Sequence, residues 1–193
     1  MLSYKESLKI LKETDALLEG HFILSSGLHS EKYVQCAKLL SKPEKAKTIC
    51  LSLAEKIKDK YQSIDLILSP AIGGIVIGYE IGRILNIETI FAERVNEKFV
   101  LRRDFNIKKG QKVLIVEDVI TTGKSILECS NLVKNKLANV VGYACIIDRS
   151  DEENKIDHDV VSQVQIKIPT YKEENLPKHL ETIKPVKPGS RNI

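Results

Sequence analysis

Glu117 and Asp118 stand side by side directly after the apolar run Val113–Val116. A short turn of small and hydroxylated residues follows them: Val119, Ile120, Thr121, Thr122, Gly123, Lys124 and Ser125. The apolar run suits a strand buried on both faces, and two carboxylates end it. The backbone N–H groups of the turn, with the helix N-terminus that it opens, can cradle a phosphate. Hydroxyls of Thr121, Thr122 and Ser125 add donors. The carboxylates cannot serve that phosphate, because like charges repel. They are suited to sugar hydroxyls, held directly or through a metal ion. An acid pair beside a phosphate cradle points to a ribose 5-phosphate.

Competing motifs fit less well. Gly123-Lys124-Ser125 ends like a Walker A loop, but that loop needs a glycine where Asp118 stands. Gly73, Gly74 and Gly78 lack the GxGxxG spacing of a dinucleotide fold. An ordinary capped helix accounts for Thr or Ser in the turn, but not for two acids at the end of a buried strand.

The elements around this segment alternate. Ile64 to Ser69 reads as a strand, Pro70 to Gly74 as a turn, Ile75 to Leu85 as a helix and Glu88 to Ala92 as a strand. A helix over 124–137, with Ile126, Val133 and Leu137 near one face, leads to a buried strand over Val140 to Ile147. This alternation predicts an α/β protein with a central, mostly parallel sheet flanked by helices. Ligands of such sheets lie beyond the carboxyl ends of the strands.

Upstream, Ser3 and Glu6 form a capping box, and Tyr4, Leu8 and Leu11 share a helical stripe. His21 to Leu24 and Lys32 to Ala37 read as extended pieces around a turn at Ser25–Ser30. Pro43 opens a helix over 43–60 whose buried face carries Ala46, Ile49, Cys50, Leu53 and Ile57. The tail beyond Ser150 is rich in charge and proline, with a strand-like Val164–Ile168.

Composition narrows the function classes. With 193 residues, 42% hydrophobic and 29% charged, the chain is long enough for one self-sufficient core. Cys36, Cys50, Cys129 and Cys145 form no CxxC pair, so neither a zinc site nor a disulfide framework is expected, and reduced thiols in a cytoplasmic protein are the plain reading. The uncharged run Leu66 to Tyr79 is too short for a bilayer and is broken by proline and glycine, so no membrane partner is expected. A net charge of +4, with 5% aromatics and no Trp, is too weak a signal for nucleic acid but suits a small anionic substrate.

VLIVEDVITTGKS, Val113 to Ser125, resembles the phosphoribosyl-pyrophosphate (PRPP) binding signature of type I phosphoribosyltransferases. Gly20 to Ser30, with Tyr33 and Gln35, looks like the N-terminal block of the orotate-specific branch of that family. Ser69-Pro70-Ala71-Ile72-Gly73-Gly74 resembles its pyrophosphate loop. Phe91-Ala92-Glu93-Arg94 and Leu101-Arg102-Arg103-Asp104-Phe105 are similar to the borders of its mobile loop. Ile147-Asp148-Arg149 resembles its base-binding strand end. The similarity spans about residues 15 to 150.

The resemblance implies transfer of ribose 5-phosphate from PRPP to orotate, giving orotidine 5′-monophosphate and pyrophosphate in pyrimidine biosynthesis. A purine or uracil transferase of the same fold, or a PRPP-sensing regulator, is the alternative. It implies a single domain over 1–193, with a PRPP-binding core at about 43–150 and a hood from 1–40 plus part of the tail. PRPP would meet Arg94, Lys98, Ile72, Gly73 and the segment Glu117 to Ser125. Orotate would meet Thr121, Arg149, Ser25 and Tyr33, since a guanidinium matches a carboxylate. Lys98, Arg102, Arg103 and Asp118 are the candidate catalytic groups. Mg²⁺ would sit mainly on substrate oxygens. A homodimer is implied, with the 94–105 loop acting as a lid on the neighbouring site. The chain departs from the best-known bacterial pattern, which has lysines at the places of Ser25 and Gly73 and a Gly-rich, His-bearing mobile loop, whereas Val95–Asp104 has neither Gly nor His.

Overall fold

A computed structural model describes residues 1–24, 26–150 and 156–188. Ser3 caps the first helix, α1 (Tyr4–Glu13), and Glu6 returns the bond to the Ser3 N–H at 2.8 Å. Strands β1 (Leu17–Ile23) and β2 (His29–Val34) then pair antiparallel, from Leu17 opposite Val34 to Ile23 opposite His29. The extended pieces expected at 21–24 and 32–37 are therefore shifted. Pairing carries β1 back to Leu17, and a short helix, α2 (Cys36–Leu40), replaces the end of the second piece. Helix α3 (Pro43–Lys60) has the expected bounds and buries Ile49, Leu53 and Ile57.

The alternating region follows: β3 (Leu66–Pro70), α4 (Gly73–Leu85), β4 (Thr89–Val95), β5 (Lys98–Leu101), β6 (Lys112–Ile120), α5 (Lys124–Asn135), β7 (Asn139–Asp148) and β8 (Val160–Gln165). They form one six-stranded sheet in the order β5-β4-β3-β6-β7-β8. All pairs are parallel except β4 with the edge strand β5. Each face of the sheet carries a core, as the continuous apolar strands require. Leu114, Val116 and Ile146 pack with α1, α3 and α4, while Val113, Ile115 and Cys145 pack with α5.

Several boundaries differ from the periodicity: α4 opens at Gly73, inside the expected turn, and pairing carries β4 to Val95 and β6 to Ile120. Helix α5 stops at Asn135, and Leu137 is exposed at a positive φ of 57°. The amides of Lys136 and Ala138 both turn back to the Val133 carbonyl, which closes the helix before Leu137 can join its buried face. Strand β8 begins at Val160, ahead of the expected 164–168, because its pairing with β7 starts at Tyr143 opposite Val160.

The tail returns to the N-terminal hairpin. Strand β9 (Thr170–Tyr171) extends β2, α6 (Lys178–Glu181) follows, and Val186 bonds to β1 through the Ile23 N–H and the His21 carbonyl. All four cysteines are buried free thiols. Among the described residues, no helix is long and apolar enough to cross a membrane.

Candidate active site

The acid pair lies inside a strand, not past its end. β7 pairs with β6 as far as Ile120 opposite Asp148, whereas β3 pairs with it only as far as Ile115. From Val116 onward β6 is thus supported on one edge and open on the other. Strand alternation puts Glu117 on the α5 face, in line with Val113 and Ile115, and Asp118 on the α4 face, in line with Leu114 and Val116.

Glu117 is 8% exposed, and burial, with the neighbouring Asp118 charge second, pushes its pKa up to about 9. Burial also raises Asp118, partly offset by a hydrogen bond from Glu117. Burial of both groups, and the charge of one on the other, favour a proton shared by the pair. One member can therefore donate to a sugar hydroxyl and the other accept from one. Beneath them, the buried Cys36 thiol reaches the Asp118 carbonyl at 3.8 Å.

Residues Glu117 and Val119 to Ile126 line one concavity. Gly123 caps α5 at a positive φ of 75°, a conformation glycine takes without strain. This turn aims the start of α5 into the concavity, with Thr121, Thr122 and Lys124 facing solvent and Ser125 half-buried. Thr122 Oγ1 accepts from the Lys124 N–H at 3.4 Å. The structure thus gathers Glu117 and Val119 to Ser125 into one concave surface, while Asp118 faces the start of α4.

The start of α4 closes on the acids from the open side. The Ala71–Ile72 peptide is cis, and Ile72 projects into solvent. A Cβ on Gly73 would lie 2.7 Å from Asp118 Oδ1, so any side chain there requires the carboxylate to move. A Cβ on Gly74 would lie 2.9 Å from the Val116 carbonyl, where backbone cannot yield. Gly78 and Gly82 continue the stripe against Ser69 and Thr89. Their four-residue spacing is a helix packed tightly onto a sheet. This is the function of glycines whose spacing ruled out a dinucleotide site.

Arg149 emerges from the end of β7, and its N–H donates to the Ile120 carbonyl at 2.8 Å. Its guanidinium is half-buried, its Nε has no hydrogen-bond partner, and no ion pair engages it among the described residues. Asp148 is committed to Ser150, whose N–H and hydroxyl it accepts at 2.8 and 2.6 Å. Burial pulls the Arg149 pKa down, yet a guanidinium stays charged, so this is a cation with no counter-ion among the described residues. Tyr33 is half-buried, stacked at 5.8 Å on Phe22, with its hydroxyl on Gln35. Ser25 lies outside the described residues.

The basic 94–105 segment is a tight hairpin. Asn96 and Glu97, both at positive φ, turn β4 into β5. Arg94 reaches across to Glu128 of α5 at 2.6 Å and lies over the Phe99 ring at 4.1 Å. Arg102 and Arg103 both bond Glu93, at 3.4 and 2.9 Å. Lys98 is exposed. Three of the four candidate lid cations are thus paired within the chain.

Sequence reading missed one polar feature. His29 and His21 form a buried pair: His29 Nδ1 lies 2.6 Å from His21 Nε2, and His21 Nδ1 lies 2.8 Å from the Ile183 carbonyl. Their alternation in adjacent strands was the available signal. Among the described residues, no group of three or more His, Cys, Asp or Glu could cage a metal ion.

Comparison with known proteins agrees with this geometry. Residues 37–182 match the family described as Phosphoribosyl transferase domain. An orotate phosphoribosyltransferase of Caldicellulosiruptor saccharolyticus is 47% identical over 186 residues, covering 96% of each chain. The crystal structure of orotate phosphoribosyltransferase from Aeropyrum pernix superposes with a TM-score of 0.70 at 23% identity, covering 82% of this chain and 92% of that one. Adenine phosphoribosyltransferase from Thermoanaerobacter pseudethanolicus gives 0.61 at 19%, covering 70% and 88%. These two structures share the fold.

Proposed function

The chain belongs to the phosphoribosyltransferase family, and from that premise we propose that it is an orotate phosphoribosyltransferase. It transfers the ribose 5-phosphate of PRPP to orotate, releasing pyrophosphate and forming orotidine 5′-monophosphate. The observation that carries the choice of base is Arg149, a half-buried cation with no counter-ion among the described residues, one hydrogen bond from the start of the phosphate turn. A base bearing a carboxylate supplies that counter-ion; a purine or uracil does not.

In this reading the turn Thr121 to Ser125 and the start of α5 hold the 5′-phosphate. Glu117 and Asp118 hold the ribose hydroxyls, and Val119 and Ile120 form the floor. Ile72 and Gly73 face the pyrophosphate. Arg149, Thr121, Tyr33 and Ser25 surround orotate. Bond breaking at the anomeric carbon leads, with oxocarbenium character there. The chain's task is to align the base nitrogen and to stabilise charge building on pyrophosphate. Arg94, Lys98, Arg102 and Arg103 are the cations available for that charge. Carboxylate oxygens at the end of β6 suit Mg²⁺, and without a protein cage among the described residues most of its ligands would be substrate oxygens and water. When bound, Mg²⁺ neutralises the departing diphosphate.

The core at about 43–150, under a hood of β1, β2 and the returning tail, forms one working unit in this reading. A homodimer is supported by Val76 and Tyr79, exposed apolar residues on α4, 51% and 66% accessible. Its hairpin would reach the neighbouring site.

The test is Mg²⁺-dependent pyrophosphate release from PRPP on addition of orotate, with Arg149→Ala as control. Losing a hydrogen-bonded charge raises the KM for orotate by about 10- to 100-fold and leaves the KM for PRPP unchanged. Turnover of hypoxanthine or uracil but not orotate would overturn the base assignment, and no PRPP consumption with any base would leave a regulator.

A further inference from the structure

Four residues ahead of β8 make an unexpected approach to the phosphate turn. Ile156 lies against Gly123: its Cγ1 and Cδ1 sit 3.1 and 3.3 Å from where a Gly123 Cβ would be. It belongs to the apolar cluster that contains Ile126 and Cys129 of α5. The next three residues are pinned. Asp157 accepts from the Tyr143 hydroxyl and from Lys134 Nζ, both at 2.5 Å. The His158 ring meets Tyr143 edge-on at 5.8 Å. The Asp159 carbonyl accepts from the Tyr61 hydroxyl at 2.9 Å and from the Tyr143 N–H at 3.0 Å, and its carboxylate pairs with Lys60. Bonds from α3, the last turn of α5 and β7 thus hold one short strap whose first residue rests on the N-cap of α5.

Gly123 has no side chain to fix the turn, and its positive φ belongs to a conformation that glycine leaves easily. A neighbour wedged against it removes alternative turn geometries before the ligand arrives, and preorganisation of this kind appears as affinity. We propose that Ile156 is a positioning residue for the 5′-phosphate of PRPP, held in place by the Tyr143–Asp157–Lys134 anchor, although none of these residues touches substrate. This rests on the ribose-phosphate reading of the turn given above.

The test is calorimetric titration with ribose 5-phosphate, beside steady-state kinetics for both substrates. Ile156→Ala is expected to weaken ribose 5-phosphate binding and raise the KM for PRPP by about 10-fold, a size typical of couplings relayed through packed neighbours. The KM for orotate and kcat at saturation stay within about twofold of wild type. Ile156→Val, which keeps the branched contact, restores wild-type binding to within about twofold, and Asp157→Asn, which weakens only the anchor, raises the Kd by about threefold. Unchanged ribose 5-phosphate affinity in Ile156→Ala would overturn the proposal, as would equal losses towards both substrates, which mark general loosening. Failure of the wild-type protein itself to bind ribose 5-phosphate would remove the underlying reading, and the strap's role with it.

Discussion

The turn between β6 and α5 and the hairpin between β4 and β5 lie at the same end of one sheet, but they are built in opposite ways. The turn is assembled before any ligand arrives. Its groups come from one continuous stretch of chain, Glu117 is buried and Asp118 half-buried, and a glycine cap aims α5 at the concavity. The hairpin carries its cations on the surface, and most are engaged elsewhere: Arg94 with Glu128, Arg102 and Arg103 with Glu93. Exposed ion pairs of this kind are each worth about 1 kcal/mol or less, so a diphosphate can displace them. Under the proposed function, affinity for the sugar phosphate would be intrinsic to the turn, and engagement of the leaving group would require the hairpin to exchange partners.

Asp118→Asn strikes the preassembled region and should have the largest effect. Turnover should fall by about 10²-fold or more, the scale of losing one preorganised polar group, with the fold intact by circular dichroism. An unchanged rate would reduce the acids to packing and erase the contrast between the regions. Glu128→Gln tests the other side. Releasing Arg94 should lower the KM for PRPP by up to about fivefold, the worth of one exposed pair. A higher KM would mean instead that Glu128 aims Arg94 rather than restraining it.

A third effect concerns stability and pH. The folded-state pKa of Glu117 lies at about 9, above its ordinary value of 4.5, because burial penalises the charged form. Between those values the folded chain binds more protons than the unfolded one, so stability is fully present below pH 4.5 and is lost as pH rises through 9. Glu117→Gln removes that ionisation. The melting temperature of the ligand-free variant should fall less across this range than that of the wild type, measured by calorimetry at several pH values. Parallel curves for the two proteins would show that Glu117 is already ionised in the folded chain.

Much of this architecture was legible in the residues. The acid pair, the hydroxyl-rich turn and the strand before them are local features. The bounds of α3 and the capping box of α1 follow from helical spacing and a side-chain hydrogen bond. The extension of β6 to Ile120 was not legible, because Glu117 and Asp118 have poor strand propensity and only pairing with β7 keeps them extended. Glycine spacing on α4 excluded a dinucleotide loop, but its packing purpose depends on Val116, Ser69 and Thr89, which lie on other strands. The departures from the bacterial pattern also gain meaning in three dimensions, since a side chain at Gly73 meets Asp118 and the hairpin needs only Asn96 and Glu97 to turn.

By itself, the order of residues determined the local chemistry: which stretch can cradle a phosphate, which runs must be buried, and which helices begin where. Those properties depend on neighbours within a turn or two along the chain. Tertiary structure alone decided that β6 has one open edge at its acids, that Arg149 meets no counter-ion among the described residues while Arg94 does, and that Ile156 comes to rest on Gly123. Each of these depends on distance and burial between residues far apart in sequence, quantities that exist only once the sheet has closed around its two cores.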